Sequence, residues 1–405
     1  MRIAVVSPFL DRQHGTERCI VEQIEHFLRQ PGCEIHIYAQ SIRDLEVVRS
    51  GNATASRPAP GKAVWHRIPA IPGPHLLNFL WWYFANQALR WFHRKFRALR
   101  FDLVFSPGIN CADAGAIVVH IVFHEFFRLV QPDLRLRHAP LSSWPVLLHR
   151  ILYYRLIMAL ENRIYRKPRV RLAAVSQLTA SELSRHFFRR DVTVIPNAAD
   201  LALLNLPERL RRREQARLNL QLPENAFVLL LIGNDWKKKG LTPLLNAIAA
   251  LPDIPIRLLV VGRDDRTPFL AQIRQLHLDA RVLFLEPSAD IMQFYAAADV
   301  YTGPSLHDSF ALPPMEAMAS GLPVVTSVTN GGSQIISEGK DGFVLSDAHD
   351  TAALSRVISL LYEHPDIRRS VGEQASRTAQ SYSWERNAAE TWEFVRQATG
   401  SSSDV

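Results

Sequence analysis

The chain has 405 residues, 47% of them apolar and 21% charged, and a net charge of +8. This balance excludes a disordered polymer, and the length excludes one ordinary core, so two domains of roughly 200 residues are expected. No apolar run reaches the roughly 18 residues needed to cross a bilayer, and no nucleic-acid motif accompanies the positive charge, so no nucleic-acid partner is expected.

The chain opens on the apolar strand "RIAVVSP", ahead of which no signal peptide is expected. The loop "FLDRQHGTE", the helix "RCIVEQIEHFLRQ" and the strand "EIHIYAQ" complete a β-α-β start. Gly15 in that loop lets something bulky approach the backbone or simply makes a tight turn. The G-x-G-x-x-G of a nicotinamide site and the G-x-x-x-x-G-K-[ST] of a P-loop are both missing. Cys19, Cys33 and Cys111 have no metal-like spacing and read as reduced thiols of a cytoplasmic protein.

Two stretches, Leu76–Phe101 and Trp144–Arg171, interleave aromatic residues with Arg and Lys. They read as helices with a broad apolar face. Such helices suit an anionic membrane surface or a core whose basic edge is solvated. Between them "AGAIVVHIVF" places His120 at the end of a strand, with His124 about one turn beyond. A histidine there can bond a substrate hydroxyl or take a proton, or be structural. The residues between the two histidines are Ile, Val and Phe, so the glutamate of a zinc hydrolase is absent and no metal site is expected. "RLAAVSQLTASELSRHF" and "VTVIPNAAD" continue the strand–helix alternation.

The polar segment "DLALLNLPERLRRREQARLNLQLPEN" reads as an interdomain connection, after which strands and helices alternate afresh from "FVLLLIGN". Two such series imply two doubly wound α/β domains, residues 1–200 and 201–382. A last amphipathic helix, 383–398, is expected to pack back on the first domain, and "TGSSSDV" to be disordered. In the second series, Lys237, Lys238 and Lys239 of "IGNDWKKKG" stand between a strand and a helix. There they can neutralise a diphosphate, or form a solvated cluster. "GPSLHDSFALPPMEAMASGLPVV" reads as strand end, loop, helix and strand. Pro313 and Pro314 suit the first helical turn and Gly321 its stop. Asp308 falls in the loop and Glu316 is expected in the first turn. Two carboxylates facing one crevice suit sugar or ribose hydroxyls. The plain alternative is a solvated aspartate and a glutamate that complements the helix dipole.

This last stretch resembles the carboxylate, seven residues, carboxylate signature of retaining glycosyltransferases of the sucrose-synthase-like family 4. "HGTE", "AVSQLTASEL", "VIPNAAD", "LLVVGRD", "FYAAADVYTGPS", "GGSQIISEGKDGFVL" and "YSWERNAAETW" follow the family's order. "GNDWKKKG" is most similar to the lipopolysaccharide core glucosyltransferase branch. The resemblance implies a GT-B fold, two Rossmann-like doubly wound domains facing a central cleft, closing about a hinge near residue 200. It also implies sugar transfer with retention from a UDP- or GDP-sugar to a glycan or lipid-linked acceptor of envelope polysaccharide. Neither cofactor nor metal would be needed. The reduced thiols and the basic-aromatic helices, taken with this, make the expected place the cytoplasm, free or peripheral on the inner face of the membrane.

Carried over residue by residue, Gly15 and Thr16 would admit the donor diphosphate. His120, or less favourably His124, would lie beside the donor sugar. Lys239 would hold the diphosphate, Asp308 the sugar and Glu316 the ribose. The amides of Phe310, Ala311 and Leu312 would cradle sugar and phosphate, with Asn234, Lys238 and Arg263 lining the donor site. Asp308 replaces the family's usual glutamate, Asn234 its usual arginine, and Asn197-Ala198 the usual Asn-Gly. The first two departures support an alternative, a degenerate sugar-binding or scaffold module. A phosphorylase would need a pyridoxal-phosphate lysine and a much longer chain.

Overall fold

Runs such as "FVLLLI" are apolar on both faces, and only a sheet covered by helices on both sides buries such strands. The computed structural model describes residues 1–12, 15–49, 61–134 and 140–400. His14 of "HGTE" and the end of the tail, 401–405, lie outside these. The chain divides into two compact units, residues 1–195 with the chain from Trp384 onward, and Pro196–Ser383. The first division therefore falls at Ile195, five residues before the expected boundary at 200.

In the first unit the strands are β1 (Arg2–Val6), β2 (Phe9–Leu10), β3 (Glu34–Ala39), β4 (Ser41–Ile42), β5 (Val47–Arg49), β6 (Ala63–Arg67), β7 (Leu103–Pro107), β8 (Ala116–Val119), β9 (Arg171–Ala174) and β10 (Val192–Val194). Eight of them form one parallel sheet in the order β10-β9-β8-β7-β1-β3-β6-β5, and β2 pairs with β4. Its helices are α1 (Gly15–Leu28), α2 (His75–Phe96), α3 (Phe123–Val130), α4 (Trp144–Tyr165) and α5 (Gln177–Phe187). Ser176 caps α5 by accepting from the Thr179 amide at 3.1 Å. The core joins Ala4 and Val6 of β1 to Ile117 and Val119 of β8, Leu172 of β9, Trp82 of α2 and Ile157 of α4.

The second unit begins with α6 (Leu206–Asn219), inside the segment expected to be a connection. Ala216 is the one buried residue of this helix, and its inward face is otherwise largely half-buried arginine, which is why polarity alone reads it as a linker. It continues through β11 (Phe227–Ile232), α7 (Leu241–Ala249), β12 (Ile256–Val261), α8 (Thr267–Gln275), β13 (Val282–Leu285), α9 (Met292–Ala297), β14 (Val300–Thr302), α10 (Leu312–Ala319), β15 (Val324–Ser327), β16 (Phe343–Leu345), α11 (Thr351–Glu363) and α12 (Pro365–Ala379). The sheet order is β13-β12-β11-β14-β15-β16, parallel throughout. In local numbering this is 3-2-1-4-5-6, so the order reverses between β11 and β14. In such sheets the crevice beyond the strands' carboxyl ends at that reversal receives ligands.

The last helix, α13 (Trp384–Gly400), belongs to the first unit and packs on α1. Gln23 Nε2 donates to Asn387 Oδ1 at 3.0 Å and Thr391 Oγ1 at 3.2 Å, and the Phe27 and Trp392 rings lie 5.3 Å apart. Thr399 and Gly400, expected to be disordered, continue this helix.

Candidate functional site

β11 ends at Ile232, and the chain must re-enter as α7 at Leu241. Gly233, Asp235 and Gly240 make the turn with positive φ of 135°, 59° and 83°. Gly240 allows no side chain, because a Cβ there would meet the Pro304 carbonyl oxygen at 2.1 Å. The loop after β11 is thus pressed against the loop after β14, an approach sealed by the Leu306 amide donating to the Lys238 carbonyl at 2.7 Å.

This contact brings Lys239 to Asp308. Lys239 Nζ donates to Asp308 Oδ2 at 2.6 Å, with the two side chains 14% and 22% exposed, so the pair is partly shielded but reachable from solvent. Asp308 is fixed in turn. Its amide donates to the Thr329 carbonyl at 2.9 Å, its carbonyl accepts from Gly331 at 2.8 Å, and its Oδ1 accepts from the Phe310 amide at 3.2 Å. The fully buried Asn330 supports the same loop. Its Oδ1 accepts from the amides of Ala311 at 3.2 Å and Gly332 at 3.0 Å, while its Nδ2 donates to Thr326 Oγ1 at 3.1 Å. Two of the three amides expected to cradle a ligand, those of Phe310 and Ala311, therefore meet side-chain acceptors.

Glu316 is buried on α10. The helix starts at Leu312, so Glu316 sits in its second turn and not the first, and it does not serve the helix dipole there. Its Oε2 accepts from the Tyr295 hydroxyl at 2.7 Å. Tyr301, buried on β14, has its phenol pushed well up by burial, with the charges of Asp308 and Glu316 adding to the effect. Both carboxylates thus act on one ring at the reversal of strand order.

The remaining second-unit candidates are tied locally. Asn234 Oδ1 accepts from the Arg263 amide at 2.8 Å, joining the loops after β11 and β12. Lys238 pairs with Asp235. Arg263 is exposed, its Nε 3.5 Å from Glu286 Oε2.

In the first unit Gly15 and Thr16 open α1, Gly15 exposed and Thr16 half-buried. His120 follows β8 directly, and burial lowers it to about 4, so its imidazole is neutral at pH 7. Its Nε2 is buried without a hydrogen-bond partner among the described residues. His124 is placed otherwise. It donates from Nδ1 to Glu161 Oε2 at 2.6 Å and accepts from Asn162 Nδ2 at 3.1 Å. Glu161, fully buried on α4, also accepts from the amides of Phe123 at 2.8 Å and His124 at 3.2 Å, capping α3. Burial raises Glu161, and these hydrogen bonds offset only part of that rise. His124 is the structural partner of that cap.

Sequence reasoning missed Tyr295 and Asn330. An asparagine before two glycines is a turn signal that could have marked Asn330, whereas Tyr295 lies in an apolar helix with nothing to set it apart.

Residues 14–203 match the family model described as Glycosyltransferase Family 4, and residues 212–378 the one described as Glycosyl transferases group 1. The D-inositol 3-phosphate glycosyltransferase of Corynebacterium urealyticum is 34% identical over 217 residues, 51% of this chain and 51% of that protein. That of Corynebacterium efficiens is 30% identical over 246 residues, 58% of each. The chain spans about half the length of the curated relatives it matches. WaaG, a glycosyltransferase involved in lipopolysaccharide biosynthesis, is similar in structure with a TM-score of 0.73 at 18% identity, over 96% of this chain and 98% of that one. Anabaena HepE, solved with UDP and glucose, gives 0.68 at 19% identity, over 98% and 99%. At these identities the likeness shows the fold, parallel-sheet Rossmann-like domains of the GT-B type.

Proposed function

The chain belongs to the GT-B glycosyltransferases, and from that premise we propose that it transfers a sugar, with retention, from a UDP- or GDP-sugar to a glycan or lipid-linked acceptor of envelope polysaccharide. The observation that carries this reading is the Lys239–Asp308 pair, held where the strand order reverses, with the Tyr295-bound Glu316 on the helix that follows. An ammonium group there suits a departing diphosphate, and fixed carboxylates suit hydroxyls.

Lys239 would release Asp308 to take the β-phosphate as its bond to the sugar C1 breaks. Asp308 would then accept from a hydroxyl of the sugar, and Glu316 from those of the ribose. The acceptor oxygen forms the new bond to C1, and its proton passes to the departing phosphate. In the first unit, His120 keeps a neutral imidazole whose Nε2 has no hydrogen-bond partner among the described residues, which suits a hydroxyl. UDP is the first nucleotide to try, since HepE, which shares the fold, was solved with it. Calorimetric titration with UDP, GDP and ADP tests the reading. Micromolar binding of one nucleotide, lost in Glu316→Ala and Lys239→Ala, supports it, and binding of none overturns it.

The lipid-linked acceptor is supported by α2. This helix exposes Leu77, Trp81, Phe84, Trp91, Phe92 and Phe96, beside the exposed cations Arg94, Lys95 and Arg97. Lys95 lies 4.9 Å from the centre of the Trp91 ring. Apolar rings flanked by cations match an anionic bilayer surface. No helix among the described residues is long and apolar enough to cross a membrane.

A further inference from the structure

Arg209, Arg213 and Arg217 recur every four residues along α6 and so share one face, which lies across the carboxyl end of α9. Arg213 donates to the Ala298 carbonyl at 2.9 Å and Arg217 to that of Ala297 at 3.2 Å. Asp299, the buried carboxylate beneath them, accepts from Arg213 at 2.7 Å and from the Val228 amide at 2.8 Å, and stands 3.5 Å from Arg217. Arg209 is served least. Its contact with the Ala298 carbonyl is 3.5 Å long, and its Nε is buried without a hydrogen-bond partner among the described residues. Burial first, then Arg213, with Arg368 adding, lowers Arg209 to about 10 against the pull of Asp299.

Arg209 borders a cleft of about 340 Å³ between α6 and α12, which Arg213, Arg368, Arg369, Asp299 and Glu373 also line. Four arginines there face two carboxylates; Asp299 is taken up by Arg213 among them, and Glu373 lies 3.7 Å from Arg377 outside the cleft, which leaves Arg209, Arg368 and Arg369 without a carboxylate of their own in the lining. A surplus of guanidinium groups with an unmet buried N–H is the chemistry that takes a phosphate. The volume lies at the small end of ligand sites. The cleft also reaches the carboxyl end of α10. Gly321 there packs so closely on α6 and α12 that a Cβ would meet Leu206 at 2.6 Å, and a Cβ on Gly372 would meet the Gly321 carbonyl at 2.4 Å.

We propose that this cleft binds a phosphomonoester of about sugar-phosphate size, at a site separate from Lys239 and Asp308. An anion bridging the arginines of α6 and α12 would tighten their grip on α10, the helix that carries Glu316.

The test is calorimetric titration of the full chain at low salt with glucose 6-phosphate, inorganic phosphate and, as a neutral control, glucose. Saturable binding of glucose 6-phosphate but not glucose is expected. It should weaken tenfold or more in Arg209→Gln and in Arg369→Gln, and persist in Lys239→Ala. Arg369 is exposed, so its variant does not depend on the packing of α6. Flotation with phosphatidic-acid vesicles that Arg369→Gln weakens, with flotation on phosphatidylserine vesicles unchanged, would support the same site and assign its phosphate to a lipid headgroup. Absence of binding to either probe, binding that survives both arginine variants, or loss in Lys239→Ala would overturn the proposal. UDP titration of the same samples reports on the donor site independently.

Discussion

Lys239 Nζ and Asp308 Oδ2 lie 2.6 Å apart although 69 residues separate them in the chain. They sit on the loops after β11 and β14, the neighbours at which the sheet reverses its order. An incoming diphosphate would have to compete with Asp308 for the ammonium group. Asp308→Asn is therefore expected to leave UDP affinity unchanged or raise it up to about fivefold, while lowering turnover by about a hundredfold. Lys239→Ala should weaken UDP by roughly ten- to a hundredfold, the scale of about 1.5–3 kcal/mol for a charge-assisted hydrogen bond. Calorimetry and initial rates separate the two effects, and equal loss of UDP affinity in both variants would contradict the competition.

Tyr295 fixes Glu316 through one hydrogen bond of 2.7 Å. Tyr295→Phe removes about 1 kcal/mol and should weaken UDP several-fold without unfolding the chain. The preference for UDP over 2′-deoxy-UDP should shrink in this variant and vanish in Glu316→Ala. If Tyr295→Phe discriminates as well as the unaltered chain, Tyr295 does not position Glu316.

Gly240 tests the approach of the two loops. Alanine there would meet the Pro304 carbonyl at 2.1 Å with φ near 83°. The strain should cost about 1–3 kcal/mol and pull Lys239 from Asp308. A lower urea midpoint together with weaker UDP binding is expected, and a variant unchanged in both would refute the close approach.

Acid should destabilise the first unit. His66 Nε2 donates to His36 Nδ1 at 2.8 Å, His36 Nε2 donates to Glu34 at 2.8 Å, and the Tyr38 hydroxyl donates to His93 Nδ1 at 2.8 Å, all with neutral imidazoles. Burial lowers His66 to about 3 and His93 and His120 to about 4, and it lowers His36 as well. Unfolded histidines titrate near 6.5, so between that pH and about 4 the unfolded chain binds more protons and stability falls as pH falls. At pH 5 each of His66, His93 and His120 should cost about 2 kcal/mol. Denaturant melts at pH 7.5 and 5.0 check this, and coincident midpoints would count against it.

For α2, replacing Trp91 and Phe96 by glutamate should abolish sedimentation with anionic vesicles at low salt while leaving UDP affinity intact. Equal sedimentation of the altered and unaltered chains would remove the membrane surface from the proposal.

The parts of this fold legible in sequence are those held by local or apolar forces. "FVLLLI" reads as a covered strand because its six apolar residues in a row leave neither face for solvent, and "IRLLVV" departs from that only at Arg257. Pro313, Pro314 and Gly321 bracket α10 to within a residue or two. α6 is not legible because its inward face is largely half-buried arginine, and the partners of those arginines, the carbonyls of Ala297 and Ala298 and the carboxylate of Asp299, lie about 80 residues on. Asp308 and Lys239 stand out singly, since a charge beside a strand end is conspicuous. Their pairing does not, and neither does the hold of Tyr295 on Glu316. Such contacts are set by which strands become neighbours, and no local pattern records that. His124 and His120 look alike in "HIVFHEF", yet a glutamate 37 residues beyond His124 makes one a cap partner and leaves the other with a bare nitrogen.

Because α13 packs on α1, the first unit is discontinuous, and its last helix is the last part of the fold to leave the ribosome. During synthesis Phe27 and Gln23 must wait for Trp392, Asn387 and Thr391 while the whole second unit is made. A chain released at Ser383 would carry all of the second unit and an open first one. The order of completion is thus the reverse of the order of synthesis.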